Sequence, residues 1–225
     1  VKEVLDTLPQ VDVVGVAYKD GMNVPVDPDL PRLNDILAGP ELPPPDHRCD
    51  DPNAPMEIIY TSGTTGDPKG VVLKNARLAP FGKLARGVFQ YSEEDKLYTG
   101  LSLTHGNAQA VTLIPSLFLG IPSVFSRTFT KSRIWDICRT YGCTAFSLLG
   151  GMMMGIFSEP EKPDDADNPV RLILSAGTPR VIWEEFEKRF GVLIHEWYGA
   201  VEGGFAHKPP GIGPIGSFGK PLEGV

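Results

Sequence analysis

The stretch SRIWDICRTYGCTAFSLLGG, residues 132–151, changes its periodicity midway. Its first half sets Ile134, Ile137, Cys138 and Tyr141 at i, i+3, i+4 and i+7. That spacing predicts an amphipathic helix over Ser132 to Tyr141, with Thr130 as its cap and Gly142 just past its end. Its second half, Thr144 to Leu149, reads as a strand that stops at Gly150-Gly151. Helix followed by strand is the unit from which a parallel sheet is built.

The same alternation extends in both directions, from Met56 to Tyr198. Strands are expected at Glu57 to Thr61, Lys96 to Leu103, Ile121 to Phe125, Arg171 to Leu174 and Leu193 to Trp197. A second clear helix, Pro179 to Phe190, has proline in its first turn, Ile182, Phe186 and Phe190 at four-residue steps, and Gly191 after its last residue. The fold class that follows is α/β, a largely parallel sheet flanked by helices on both faces. Ahead of it, Val11 to Val26 reads as a hairpin turning at Asp20-Gly21, and a short helix surrounds Leu33, Ile36 and Leu37. Gly39 to Pro55 holds six prolines and reads as a linker or surface strap. The expected organisation is therefore residues 1–55 as hairpin, helix and strap, residues 56–210 as the α/β core, and residues 211–225 as the start of a further subdomain.

In an open parallel sheet, ligands bind at the carboxyl ends of the strands. Four strand ends here run into small, polar loops: Thr104-His105-Gly106-Asn107, Gly150-Gly151-Met152, Ser175-Ala176-Gly177-Thr178 and Tyr198-Gly199-Ala200-Val201-Glu202. Taken singly, each has a plainer explanation. Glycines after strands are common turn residues, and a lone histidine such as His105 more often caps or fills a core. Met152, Met153 and Met154 suit packing, although flexible thioethers also suit an adaptable acyl site. His195, within an apolar strand, is assigned to the core, and Lys131 with Arg133 to a solvated helix start. Taken together, the four loops would open on one crevice.

A fifth element points to anionic oxygens. In YTSGTTGDPKG, residues 60–70, glycines Gly63, Gly66 and Gly70 let backbone approach a ligand, and Thr61, Ser62, Thr64 and Thr65 bring hydroxyls. Lys69, stiffened by Pro68, adds a placed positive charge. The nucleotide-binding pattern GxxxxGK[ST] does not fit, because Lys69 follows proline and precedes Gly70.

This stretch resembles the phosphate-loop signature of the adenylate-forming enzymes, which include acyl-CoA synthetases, adenylation domains of peptide synthetases and luciferases. LSLTHGN resembles the family's second signature, SAGTP its adenine loop, WYGAVEGG its YGxTE motif, and GSFGKPLEGV the phrase that follows. Within the family the chain looks most like CoA ligases of the carnitine/crotonobetaine and fatty-acid type. The resemblance implies ATP, Mg²⁺ and CoA as cofactor, metal and co-substrate. It implies that Thr61, Ser62, Gly63, Thr64, Thr65, Gly66 and Lys69 hold phosphates and that Thr65 and Glu202 organise the metal. Ala176, Gly177, Thr178, Trp197, Tyr198 and Gly199 would frame the adenosine. His105, Asn107, Gly151 and Met152 would border the acid, and Thr65, His105 and Glu202 would take part in catalysis. It also implies a ribose-binding aspartate, a hinge and a lysine-bearing C-terminal domain beyond Val225, and hence poor turnover by these residues alone.

One position departs from the family. YGxTE has threonine where this chain has Val201, and a lost donor to a phosphate oxygen typically costs on the order of 3 kcal/mol of transition-state stabilisation. Gly203-Gly204 could offer compensating amides. An adenylation domain loading a carrier protein, or a nucleotide-binding homologue without catalysis, are the alternative readings.

Composition narrows the remaining classes. With 225 residues, 41% hydrophobic, the chain can bury a substantial core. A net charge of -7 offers no basic stripe for nucleic acid. No apolar run reaches the length of a membrane span, and the first residues given carry no signal-peptide pattern. Three cysteines without a CxxC pair suit a reducing compartment. The expectation is a cytoplasmic enzyme acting on a small carboxylic acid, with a homodimer as one possible state.

Overall fold

The computed structural model describes residue 29, residues 31–41, residue 43, residues 49–61 and residues 66–222. The chain divides into two units, Val1–Arg48 and Cys49–Val225. In the first, the helix expected around Leu33 is a short one, α1 (Leu33–Leu37). The hairpin expected over residues 11–26 lies outside the described residues.

The second unit opens with β1 (Pro55–Thr61) and β2 (Lys69–Lys74), which pair antiparallel as a separate two-stranded sheet. This differs from the alternation read from Met56 onward. The physical reason is length: residues 62–68 are too few for a parallel crossover, which needs a dozen or more residues. β1 and β2 thus flank residues 62–68 on either side, with Thr61 and Lys69 facing each other as the last register pair before them.

The main sheet carries β3 (Leu97–Thr99), β4 (Ser123–Phe125), β5 (Ala145–Leu149), β6 (Leu172–Ala176), β7 (Leu193–Ala200), β8 (Gly203–Lys208) and β9 (Lys220–Pro221) in the order 4-3-5-6-7-8-9. Strands β3 to β7 are parallel; β8 and β9 add antiparallel. β7 runs further than expected, because its last residues pair with β8 instead of entering a loop: Tyr198 faces Ala206 and Ala200 faces Gly203.

Alternate residues of the strands enter two different cores, as a pleated sheet covered on both faces requires. Tyr98, Phe146, Ile173 and Ile194 join α4 (Ile134–Tyr141), α5 (Gly150–Phe157) and α6 (Trp183–Phe190) through Ile134, Met153 and Phe186. Leu97, Ala145, Leu172, Leu174 and Trp197 join α2 (Leu78–Gly87) and the π-helical segment Ala108–Leu113, which runs on into α3 (Ile114–Leu119). Both helix stops read from glycine hold: Gly142 and Gly191 end α4 and α6 at φ 65° and 66°, a left-handed conformation that disfavours side chains. Thr130 is not a side-chain cap. Only its carbonyl takes part, accepting the Arg133 N–H at 3.1 Å.

At the sheet's amino edge, Asp95 ties three strands. It accepts bonds from Arg171 Nε at 2.9 Å and Thr144 Oγ1 at 2.6 Å, just ahead of β6 and β5. Burial alone would raise the Asp95 pKa, but these bonds outweigh it and hold it below its ordinary value. Among the described residues, no helix is long and apolar enough to cross a membrane.

Candidate ligand cleft at the switch point

The chain after β3 turns to the π-helical segment on one face of the sheet, and the chain after β5 enters α5 on the other. β3 and β5 are neighbours, so their carboxyl ends form the topological switch point where open α/β sheets bind ligands. A cavity of about 380 Å³ lies there. His105, Gly106 and Asn107 line it after β3, Leu149 at the end of β5, Ala176 at the end of β6, and Trp197 and Gly199 to Val201 from β7. Ile59 and Leu73 of the β1–β2 hairpin close it from outside, and their burial explains why this hairpin packs here.

Arg77, in the turn after β2, fastens the hairpin to the tip of β7. Its guanidinium donates to the carbonyls of Val201 and of Ala200, the latter at 3.2 Å. Burial lowers the Arg77 pKa, while the nearby carboxylates of Glu202 and Glu57 act in the opposite sense. A Cβ placed on Gly106 would lie 3.3 Å from Val201 Cγ2, so the His105 loop abuts the same tip.

The loop after β6 is held by a buried carboxylate. Glu196 of β7, 2% exposed, accepts the N–H of Gly177 at 2.6 Å and of Thr178 at 3.2 Å, and the Thr178 hydroxyl at 2.5 Å. Burial raises the Glu196 pKa; these bonds and the charge of Lys208 oppose the rise. Lys208, the register partner of Glu196 on β8, is 4% exposed and sits 4.7 Å over the Trp183 ring. From the other side, a Cβ on Gly150 would fall 1.9 Å from the Gly177 carbonyl oxygen, so only glycine lets the β5 and β6 ends close up.

β7 sorts the remaining candidates by its pleat. Trp197 is buried, stacks on Phe205 at 5.6 Å and forms cavity wall. Tyr198 points to the opposite face, 48% exposed, with Phe218 5.6 Å away. His105 is exposed at the rim, and its Nδ1 accepts the Asn107 N–H at 3.1 Å, which leaves the proton of the neutral ring on Nε2. Asn107 is buried in the cavity wall. Gly151 and Met152 start α5 and do not line the cavity; Met152 packs against the core on the α5 face. Gly66 and Lys69 are exposed at the hairpin loop, and Ser62, Gly63, Thr64 and Thr65 lie outside the described residues. His195 is fully buried, as read from the sequence.

Glu202 is exposed in the β7–β8 turn, with Arg77 near it. Among the described residues no three His, Cys, Asp or Glu side chains converge on a metal-sized site. A magnesium ion carried by phosphates takes most of its ligands from phosphate and water, so one open carboxylate at the cleft fits that donor set.

Sequence reading missed three of the residues that build this cleft. Glu196 carried a signal, being a carboxylate between apolar residues of a central strand, where a buried charge needs a partner. Arg77 and Glu57 carried none, since their roles depend on how the hairpin packs.

The fold and cleft define an α/β protein that places a ligand cavity at the switch point of a parallel sheet, beneath a glycine-rich hairpin. A family model described as "AMP-binding enzyme" matches residues 1–225, and the chain belongs to that family. It is 34% identical over 224 residues to long-chain fatty acid transport protein 2 of Rattus norvegicus, covering 96% of this chain and 35% of that protein. It is 33% identical to a medium/long-chain-fatty-acid–CoA ligase of Mycobacterium marinum, over 75% of this chain and 33% of that one. The chain therefore spans about a third of the length of these relatives. Among solved structures, o-succinylbenzoate CoA synthetase from Bacillus subtilis, in complex with ATP and magnesium, superposes with a TM-score of 0.66 at 26% identity, over 77% of this chain and 37% of that one. An acyl-CoA synthetase of Brucella canis shares the fold with a TM-score of 0.73 over 90% of this chain and 38% of that one, at 23% identity.

Proposed function

We propose that this chain provides the ATP- and acid-binding part of an AMP-forming acid–thiol ligase, one that activates a carboxylic acid as its acyl-adenylate and passes the acyl group to CoA. The observation that carries this reading is the cavity itself. A mostly apolar chamber is lined by His105 and Val201 together, beside the loop that Glu196 holds and the turn that carries Glu202. In this reading β7 divides the two ligands: Trp197 and Gly199 face the acid chamber, and Tyr198 and the Gly177–Thr178 loop face the nucleotide.

A carboxylate is a poor acyl donor, because its leaving group would be oxide. Attack of a carboxylate oxygen on the α-phosphorus of ATP, with pyrophosphate departing, converts that oxide into AMP, a good leaving group. Negative charge grows on the phosphate oxygens during this step and needs fixed donors. Thr61, Ser62, Gly63, Thr64, Thr65, Gly66 and Lys69 supply them from the hairpin loop. His105 directs its Nε2–H toward the reacting carboxylate, and the apolar cavity keeps water from the adenylate. Thr65 and Glu202 would hold Mg²⁺, which would neutralise phosphate charge. The thiol of CoA then attacks the acyl carbonyl, and AMP leaves. The cytoplasm supplies ATP and CoA, and a homodimer is compatible with this scheme.

Val201 favours a second reading, a homologue that binds nucleotide and turns over slowly. The test for both is Glu202→Ala. It should abolish magnesium-dependent ATP binding by calorimetry while leaving the melting temperature unchanged; unaltered ATP binding would reject Glu202 as the metal ligand.

A further inference from the structure

We propose that Phe118, lying over Gly82, closes the far end of the cavity and sets the length of acyl chain that it accepts. The inference rests on the ligase reading for the identity of the occupant as an acid, while the shape that limits the chain comes from two helices. The cavity has two ends. His105 and Gly199 to Val201 line it beside the strand ends, where the carboxylate is proposed to react, and Leu78, Phe81 and Ile114 line it where α2 and α3 begin. His105 and Ile114 bracket one helical segment, which at about 1.5 Å per residue places them roughly 12 Å apart. A straight chain of medium length spans that distance.

One turn further along each helix the way is closed. Leu78 and Gly82 share one flank of α2, and Ile114 and Phe118 share one face of α3, each pair four residues apart. The Phe118 ring lies against Gly82 so closely that a Cβ placed there would collide with it. A chain that follows Leu78 and Ile114 out of the cavity therefore meets Phe118 next. Phe118 is 53% exposed and lies outside the buried core, so its ring can turn toward water without opening that core. Beyond it, Leu117 is 73% exposed and offers a longer chain only a surface that water shares. Each methylene taken into the cavity strengthens binding about fourfold, whereas one that has to pass Phe118 gains little.

The test measures, in the full-length protein, calorimetric binding of straight-chain saturated acids from hexanoate to myristate, in parallel with acid-dependent ATP–pyrophosphate exchange. In the parent, affinity should climb about fourfold per methylene through the medium-length acids and then stop climbing. Phe118→Ala should carry the climb on to longer chains, so that myristate gains about tenfold over the parent while hexanoate stays within about twofold. Leu117→Ala, at the more exposed neighbour, should leave the plateau where it was. Affinity that keeps climbing through myristate in the parent overturns the proposal, and this series decides even if a variant fails to fold. A plateau that Phe118→Ala does not move, or that Leu117→Ala moves equally, overturns it too. Exchange that is absent with every acid, alongside a binding plateau that Phe118→Ala shifts, would reject the ligase reading and leave the chain-length limit standing.

Discussion

The Glu196 carboxylate and the Thr178 hydroxyl lie 2.5 Å apart, sealed between β6 and β7, and this bond fixes the loop on which the nucleotide is proposed to rest. Glu196 also bonds the Gly177 and Thr178 amides, so removing it frees three donors at once. It would leave Lys208 buried without its facing carboxylate as well. Glu196→Ala should therefore lower stability by about 3 kcal/mol and weaken AMP binding about tenfold. Glu196→Gln keeps an acceptor for the amides and should retain most of the affinity, and Thr178→Ala should cost about 1 kcal/mol. Calorimetry with AMP and urea denaturation check the three together; equal affinity in all of them would show that the loop does not depend on this clamp.

Gly150 and Gly151 are adjacent but should respond oppositely to alanine. A methyl on Gly150 meets the Gly177 carbonyl oxygen at 1.9 Å, a backbone atom that can move only by displacing the loop. A methyl on Gly151 meets nothing within 4 Å, at the start of a helix that alanine favours. Gly150→Ala should destabilise by about 1–3 kcal/mol and impair AMP binding, and Gly151→Ala should stay within about 0.5 kcal/mol of the parent. Thermal melts of both variants, with and without AMP, decide it.

His195 makes stability sensitive to mild acid. It is fully buried, and burial, then His207 and Lys208, lower its pKa from 6.5 to about 4. Folded protein keeps the ring neutral where unfolded chain takes up a proton, so stability is complete above pH 6.5 and falls as pH drops from 6.5 toward 4. The full loss is about 3 kcal/mol. His207, 3.3 Å away and also lowered by burial, adds in the same direction. His195→Leu should flatten urea midpoints between pH 7 and pH 5; an unchanged slope would mean that another group titrates there.

The legible parts of the fold were those fixed by local chemistry. Gly142 and Gly191 stop helices because only a residue without a side chain adopts that conformation freely, and the 3.6-residue spacing of Ile134, Ile137, Cys138 and Tyr141 is visible in one dimension. The gathering of the loops after β3, β5, β6 and β7 at one edge followed from parallel connectivity alone. Pairing was harder to see: the partner of β1 depends on how far its loop can reach, and the extension of β7 to Ala200 depends on an antiparallel neighbour downstream. The cavity wall was least legible, because Glu57, Arg77 and Trp197 converge only once the hairpin packs on the sheet. The pleat separates Trp197 from Tyr198, two neighbours that share one motif in the sequence.

Val201→Thr tests whether the family donor missing from this chain limits its chemistry. Val201 is half-buried at the tip of β7, its carbonyl held by Arg77 and its Cγ2 beside Gly106. Threonine has the same branched shape, and at a half-exposed site its hydroxyl keeps access to water, so stability should change by less than about 1 kcal/mol. The gain would come in the transition state: a restored donor to a phosphate oxygen is worth on the order of 3 kcal/mol, or about a hundredfold in rate. In the full-length protein, ATP–pyrophosphate exchange should therefore rise by about tenfold to a hundredfold at saturating acid, with little change in ATP affinity, since the donor acts mainly on charge that develops during reaction. An unchanged rate would mean that the amides of Gly203 and Gly204 already occupy that role, and Gly203→Ala, strained at φ 137°, should then slow exchange where Val201→Thr had no effect.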